Sequence, residues 1–397
     1  MAGGNGGLRH LAAQPGWRRW TLASLLARMP TSMTLIGLLL AGQQASGSEA
    51  TGALLAGVAT FTAGFAAPYR GARLDRRELR GGLQRACVGG AAVIATEAVA
   101  LAAGAPIALL FVVAVVQGLA LAAVTGGYRA LLGPVVPPED LPRANGIDAV
   151  FVEVAFVSGP ALAGLIALVV GPVGVLVTMA VALLVAAVVT GRLPAVEPVG
   201  TTAVGRIWRI PGVAPVYGLA MAMGATVGLL EAGVPARITD FGLDAAVSGP
   251  VLSLVALGSG VGGVIASARL HSTARAVRIA RVLFALFAVT LVPVGLAPAP
   301  VALGAALLLA GVPIAPLNAL GALMLQERLP PGRGAQGFAV YSAAILIGIG
   351  LGQSLAGLLL RVLGAQPLLA LLCIGPLAVS VVLTVVARRR SPVTAAR

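Results

Sequence analysis

The heptapeptide Gly159-Pro160-Ala161-Leu162-Ala163-Gly164-Leu165 returns 193 residues later as Gly352-Gln353-Ser354-Leu355-Ala356-Gly357-Leu358. Gly71-Ala72-Arg73-Leu74-Asp75 likewise has a counterpart 196 residues on, Ser267-Ala268-Arg269-Leu270-His271, and Glu139-Asp140-Leu141-Pro142 has one 188 residues on, Glu327-Arg328-Leu329-Pro330. In an alanine-rich chain one such match is within reach of coincidence. Three in order, offset by close to half of the 397 residues, indicate duplication. The chain reads as two halves of like internal order.

Around these segments the sequence is apolar almost throughout. Hydrophobic residues make up 58% and charged residues 10%, against about 25% charged in soluble domains. So few charges cannot cover a soluble protein of this size. A helix needs roughly 20 apolar residues to cross the hydrocarbon layer, and runs of that length follow one another from end to end. We expect twelve spans near 20–43, 50–69, 83–103, 106–128, 144–169, 172–190, 212–233, 246–267, 278–297, 299–323, 336–360 and 365–387. The Gly-Ala-Pro break at 104–106 separates spans 3 and 4, and Ala-Pro-Ala-Pro at 297–300 separates spans 9 and 10. The fold class is therefore an all-α membrane protein of about twelve transmembrane helices in two pseudo-symmetric six-helix bundles. Its expected domains are a tail at 1–19, a bundle at 20–190, a central loop at 191–211, a second bundle at 212–387 and a tail at 388–397. The first apolar stretch is too long, and its leading tail too polar, for a cleavable signal peptide.

The chain has no lysine, so all 27 basic residues are arginine. Twenty-four fall in the two tails and in the loops that follow even-numbered spans; Arg237 and Arg361 fall on the other side, and Arg28 inside span 1. By the positive-inside rule both termini are cytoplasmic, and we expect a multi-pass protein of the bacterial cytoplasmic membrane. The formal charge of +14 sits at helix ends beside a bilayer rather than on a soluble face, so the partner it implies is lipid and not nucleic acid. Without lysine there is no Walker loop and no Schiff-base nucleophile. His10 and His271 are expected in cytoplasmic segments, and Cys87 and Cys373 in separate spans, so neither a metal site nor a disulfide framework is indicated. We expect no enzymatic activity, no metal, no cofactor and a monomer.

The loop Gly71-Ala72-Arg73-Leu74-Asp75-Arg76-Arg77-Glu78-Leu79-Arg80 resembles the signature between spans 2 and 3 of the major facilitator superfamily, with Arg73 in place of a usual Leu and Glu78 in place of a usual Gly. The segment from Asn145 through Gly159, Pro160 and Gly164 resembles the span 5 region of drug and metabolite efflux members, although its spacing is looser than their antiporter signature. The resemblance implies a transporter that works by alternating access. It also implies a conformational latch in which Gly71, Asp75, Arg76 and Arg80 face the start of span 11 near Gln336, and a helix-sealing role for the Gly-Pro element. Gln117-Gly118 matches part of the span 4 signature of proton-driven members, but Ala114 stands where that signature has arginine. The usual proton route is therefore not carried over.

Intramembrane charge supplies a second route. Arg28 and Glu153 each lie about nine residues into their expected spans, roughly 13 Å deep at 1.5 Å per residue. Equal depth permits an ion pair, with Glu153 exchanging a proton against substrate. A static pair, or an Arg28 that snorkels to the surface, fits the same residues. Glu97, near the outer end of span 3, and Glu231, near the outer end of span 7, are further intramembrane carboxyls. Asn145, Gln117, Asn318 and Gln353 have interhelical hydrogen bonding as their ordinary role. The expected function is proton-linked efflux of a small amphipathic or hydrophobic compound. Import or facilitation of a small polar metabolite, and a non-transporting membrane scaffold, are the alternatives.

Overall fold

A computed structural model describes residues 14–75, 78–122, 124–195, 209–269, 275–330 and 334–389. No lipid can satisfy a peptide group, so each crossing must close its own backbone hydrogen bonds, and these segments are helical nearly throughout. Spans 1 to 3 are Pro15–Ser46, Glu49–Asp75 and Leu79–Ala102. Span 4 runs Ile107–Leu121 and resumes at Val124–Ala130. Spans 5 and 6 form one stretch, Leu141–Thr190. Span 7 is Val213–Asp240, span 8 Ser248–Arg269 and span 9 Ala276–Leu296. Span 10 is Pro300–Gly311 with Ile314–Arg328, span 11 Gly334–Leu363, and span 12 Ala365–Leu371 with Ile374–Arg389.

Among the described residues, eleven helical stretches are long and apolar enough to cross a membrane. One of them covers both spans 5 and 6. At 1.5 Å per residue, 50 helical residues would reach roughly 75 Å, more than twice a hydrocarbon core. The stretch turns at Gly171, whose φ of 74° and ψ of 176° are conformations only glycine adopts readily, and Pro172 restarts the helix. The twelve expected crossings are thus present, with span 1 starting at Pro15 instead of 20 and span 5 at Leu141 instead of 144.

The duplication is visible in the backbone. Gly364, between spans 11 and 12, has φ 78° and ψ 176° and lies 193 residues after Gly171, the offset of the quoted heptapeptides. Gly47 after span 1 and Gly242 after span 7 both have positive φ, 69° and 76°, at an offset of 195. Packing repeats too: spans 1 and 5, 2 and 4, and 3 and 6 pair in the first half, as 7 and 11, 8 and 10, and 9 and 12 do in the second. The halves meet through span 2 against span 11 and span 5 against span 8.

Candidate functional site

The described ends of the chain, Gln14 and Arg389, and the helix ends that border the loops after even-numbered spans lie at one end of the molecule, here the terminal end. At the opposite, far end the halves are in backbone contact. On span 2, Gly57 abuts Ser354 and Gly64 abuts Ile347, both of span 11. On span 5, a Cβ added to Gly164 would stand 3.1 Å from the Gly249 Cα of span 8, so any larger residue there would force the helices apart. Hydrogen bonds cross the seam: Ser253 Oγ donates to the Val157 carbonyl at 2.6 Å, and Arg361 donates to Thr51 Oγ1 at 3.5 Å.

Seven residues along each stripe toward the terminal end, the contact is gone. Gly71 on span 2 and Gly260 on span 8 have nothing within 4 Å of an added Cβ. Gly146, fourteen residues before Pro160 on span 5, is equally open. Apolar side chains flank these openings, with Phe65 and Tyr69 of span 2 exposed by 59% and 67% and their rings 6.0 Å apart. Val150, Val154 and Val264 are exposed as well. Among the described residues the halves are sealed at the far end and part toward the terminal end, which leaves a cleft flanked by exposed apolar side chains. Position 153 falls on the same span 5 stripe as Gly146 and Pro160, though the Glu153 side chain is outside the described residues.

The carboxylate that faces Arg28 is Asp148. Arg28 is 3% exposed and Asp148 wholly buried, with Nη1 and Oδ1 2.6 Å apart. Arg129, at the end of span 4, donates from Nε to Asp148 Oδ2 at 2.8 Å, so one carboxylate bridges two guanidinium groups from two different helices. The Arg28 guanidinium carbon also sits 6.0 Å from the Trp20 ring, whose Nε1 donates to the Tyr128 carbonyl at 2.8 Å. Asp148 precedes position 153 by five residues, or about 7.5 Å of helix, a distance that an arginine leaning toward its helix N-terminus spans. Sequence reasoning missed Asp148 because depths were counted from expected helix starts that both proved late, and by different amounts. The available signal was an acid two turns after Pro142 with no charged neighbour on its own helix.

Span 1 carries more polar groups on the face of Arg28. Thr21, Ser24 and Thr31 follow helical spacing, and their buried hydroxyls have no hydrogen-bond partner among the described residues; neither do Arg28 Nε and Nη2. At the far end Gln353 of span 11 donates to Glu231 Oε2 of span 7 at 3.1 Å, while its own Oε1 is buried without a partner among the described residues. Glu231 is half-buried there, beside Ala232, which packs with Ala53 of the opposite half. Glu97 is fully buried in span 3.

The loop after span 2 is described in part. Arg80 pairs through Nε with Glu78 Oε1 at 3.2 Å and donates to the Leu193 carbonyl at 3.1 Å, which ties the loop to the end of span 6. Glu78, standing where the family's glycine is usual, caps span 3 by accepting from the Gly81 amide at 2.9 Å. The Asp75 and Arg76 side chains are outside the described residues. Asn145 is exposed and bonds within its own helix, to the Leu141 carbonyl at 3.0 Å. Gly159 abuts Ser32 of span 1, and Pro160 and Gly164 meet span 8, so the Gly-Pro element is a packing face at two helix contacts.

Comparison with solved structures finds the same architecture at low identity. The nucleoside transporter NupG superposes with a TM-score of 0.76 at 12% identity, covering 94% of this chain and 100% of that one. A POT family transporter in complex with 5-aminolevulinic acid gives 0.72 at 12%, covering 96% of each chain. The human organic anion transporter MFSD10 (TETRAN) gives 0.64 at 16%, covering 93% and 99%. No curated protein sequence matches the chain. The family model of the Major Facilitator Superfamily matches residues 20–333. With that match over most of its length, twelve crossings in two like halves, and a seam formed by spans 2 and 11 and spans 5 and 8, the chain is a transporter belonging to the Major Facilitator Superfamily.

Proposed function

We propose that the protein exports a small amphipathic or hydrophobic compound from the cytoplasm of a bacterium across its inner membrane in exchange for protons. The observation that carries this reading is the cleft: it opens at the arginine-rich terminal end, and Phe65, Tyr69, Val150 and Val154 around its rim are apolar. Arginine placement makes that end cytoplasmic, so the cleft would collect its substrate from the inside. A polar metabolite would meet few partners on such walls, which disfavours the importer reading.

Proton linkage is ascribed to two carboxyls. Glu153 stands on the span 5 stripe that passes from cleft to seam. Glu231 is held by an amide that suits either protonation state: Gln353 Nε2 already donates to a carboxylate oxygen, and its unpartnered Oε1 can accept from a carboxylic acid. Protonation at that seam would trade one hydrogen bond for two and so bias the seal. Asp75 and Arg76, with Gly71 and Arg80, are proposed as the latch that holds the terminal end when it closes.

Transport assays in energised cells test this reading. Lower accumulation of hydrophobic dyes and drugs in cells carrying the protein supports export, whereas raised accumulation or no change refutes it. Glu153→Gln and Glu231→Gln should flatten the pH dependence of efflux; wild-type pH profiles in both variants would remove the proton role.

A further inference from the structure

Away from the cleft, the outer surface of the first half carries a groove of about 420 Å³ between the terminal-side ends of spans 2, 3 and 4. Its mouth is basic. Arg70 and Arg73 enter from successive turns of span 2 and Arg85 from span 3, and among the described residues no carboxylate lines the groove. Arg70 is fixed by donating from Nη2 to the Ala120 carbonyl at 3.2 Å; among the described residues Arg73 and Arg85 have no carboxylate partner. Three guanidinium groups that line one groove, with no carboxylate paired to them among the described residues, attract an anion.

The rest of the groove is apolar and climbs into the bilayer. Counted from the start of span 3, Arg85 is about 9 Å up, Gly89 about 15 Å and Val93 about 21 Å. Val116 and Leu119 of span 4 form the facing wall, both exposed. The groove exists because span 3 presents Gly82, Ala86 and Gly89 on one face, and at Gly89 an added Cβ would meet nothing within 4 Å. Among the described residues span 3 packs against spans of its own half, so the groove lies outside the seam and the cleft between the halves.

We propose that this groove binds an anionic phospholipid, its phosphate among Arg70, Arg73 and Arg85 and an acyl chain along Gly89, Val93, Val116 and Leu119. A soluble anion would use the mouth and leave the apolar wall bare; a neutral lipid would use the wall and leave three arginines uncompensated. Charge at headgroup level and an apolar track at hydrocarbon level fit one molecule that has both.

The test is lipid binding by the detergent-purified full-length protein, followed by native mass spectrometry and thermal unfolding. Phosphatidylglycerol is compared with phosphatidylcholine and with inorganic phosphate. Retained phosphatidylglycerol and a raised unfolding temperature are expected, with no shift from the other two. Arg73→Gln with Arg85→Gln should weaken phosphatidylglycerol binding about thirtyfold. Gly89→Trp, which fills the groove one turn above Arg85 while keeping all three arginines, should abolish the lipid shift while leaving the lipid-free unfolding temperature in place. An equal shift from inorganic phosphate would make this a free-anion site, and an equal shift from phosphatidylcholine would leave no headgroup selectivity. Undiminished phosphatidylglycerol binding in both variants would move the lipid elsewhere. Each of these three outcomes overturns the proposal.

Discussion

Among the described residues Asp148 alone pairs with two guanidinium groups, because Arg28 and Arg129 reach it from two helices. Removing it strands a buried guanidinium, the expensive way to break an ion pair. Asp148→Asn is therefore expected to destabilise the protein by about 3 kcal/mol, read as a lowered unfolding temperature in detergent. Most of that cost belongs to Arg28, since the Arg129 side chain is 57% exposed and can turn to water. Adding Arg28→Met to Asp148→Asn should recover much of the loss, and an additive double variant would show that the two residues do not act as a pair. The bridge also marks where sequence reading stops. Two acids five residues apart differ in height by less than an arginine's reach, so composition and spacing cannot choose between Asp148 and Glu153 as the partner of Arg28.

At the level of elements, most of the architecture was legible. Breaks at Gly104 and at Ala297–Ala299 fell where proline and glycine interrupt apolar runs, and the turn at Gly171 fell at a Gly-Pro step. Lipid allows only helices or closed barrels to cross it, and apolar runs of roughly 20 residues suit helices, so finding the interruptions nearly completes the secondary structure. Contacts between helices were less legible: Gln353 and Glu231 are 122 residues apart, and nothing local joins them. The matched glycines at 171 and 364 can be tested directly. An added Cβ meets nothing within 4 Å at either site, so only backbone conformation opposes a side chain. Gly171→Ala and Gly364→Ala should each cost about 1–3 kcal/mol, seen as similar falls in unfolding temperature. Unequal falls would argue that the two turns are not equivalent.

For the whole molecule, the decisive arrangement is the seam. Ser253 and Val157 touch across it, and transport by alternating access requires that contact to break in every cycle. A Val157→Cys, Ser253→Cys protein should cross-link under oxidant and lose transport, then recover it on reduction. Full transport while cross-linked would mean that the seam does not open. Because the described residues bring the halves together through their far ends, the helices splay toward the leaflet at the terminal end. Reversing the wedge would shift cross-sectional area from one monolayer to the other with little change in the total. The working equilibrium should then sense a difference in lateral pressure between the two leaflets much more strongly than overall membrane tension. A lipid composition that crowds one monolayer alone thus becomes a control input to the transport cycle, with no ligand needed to deliver it.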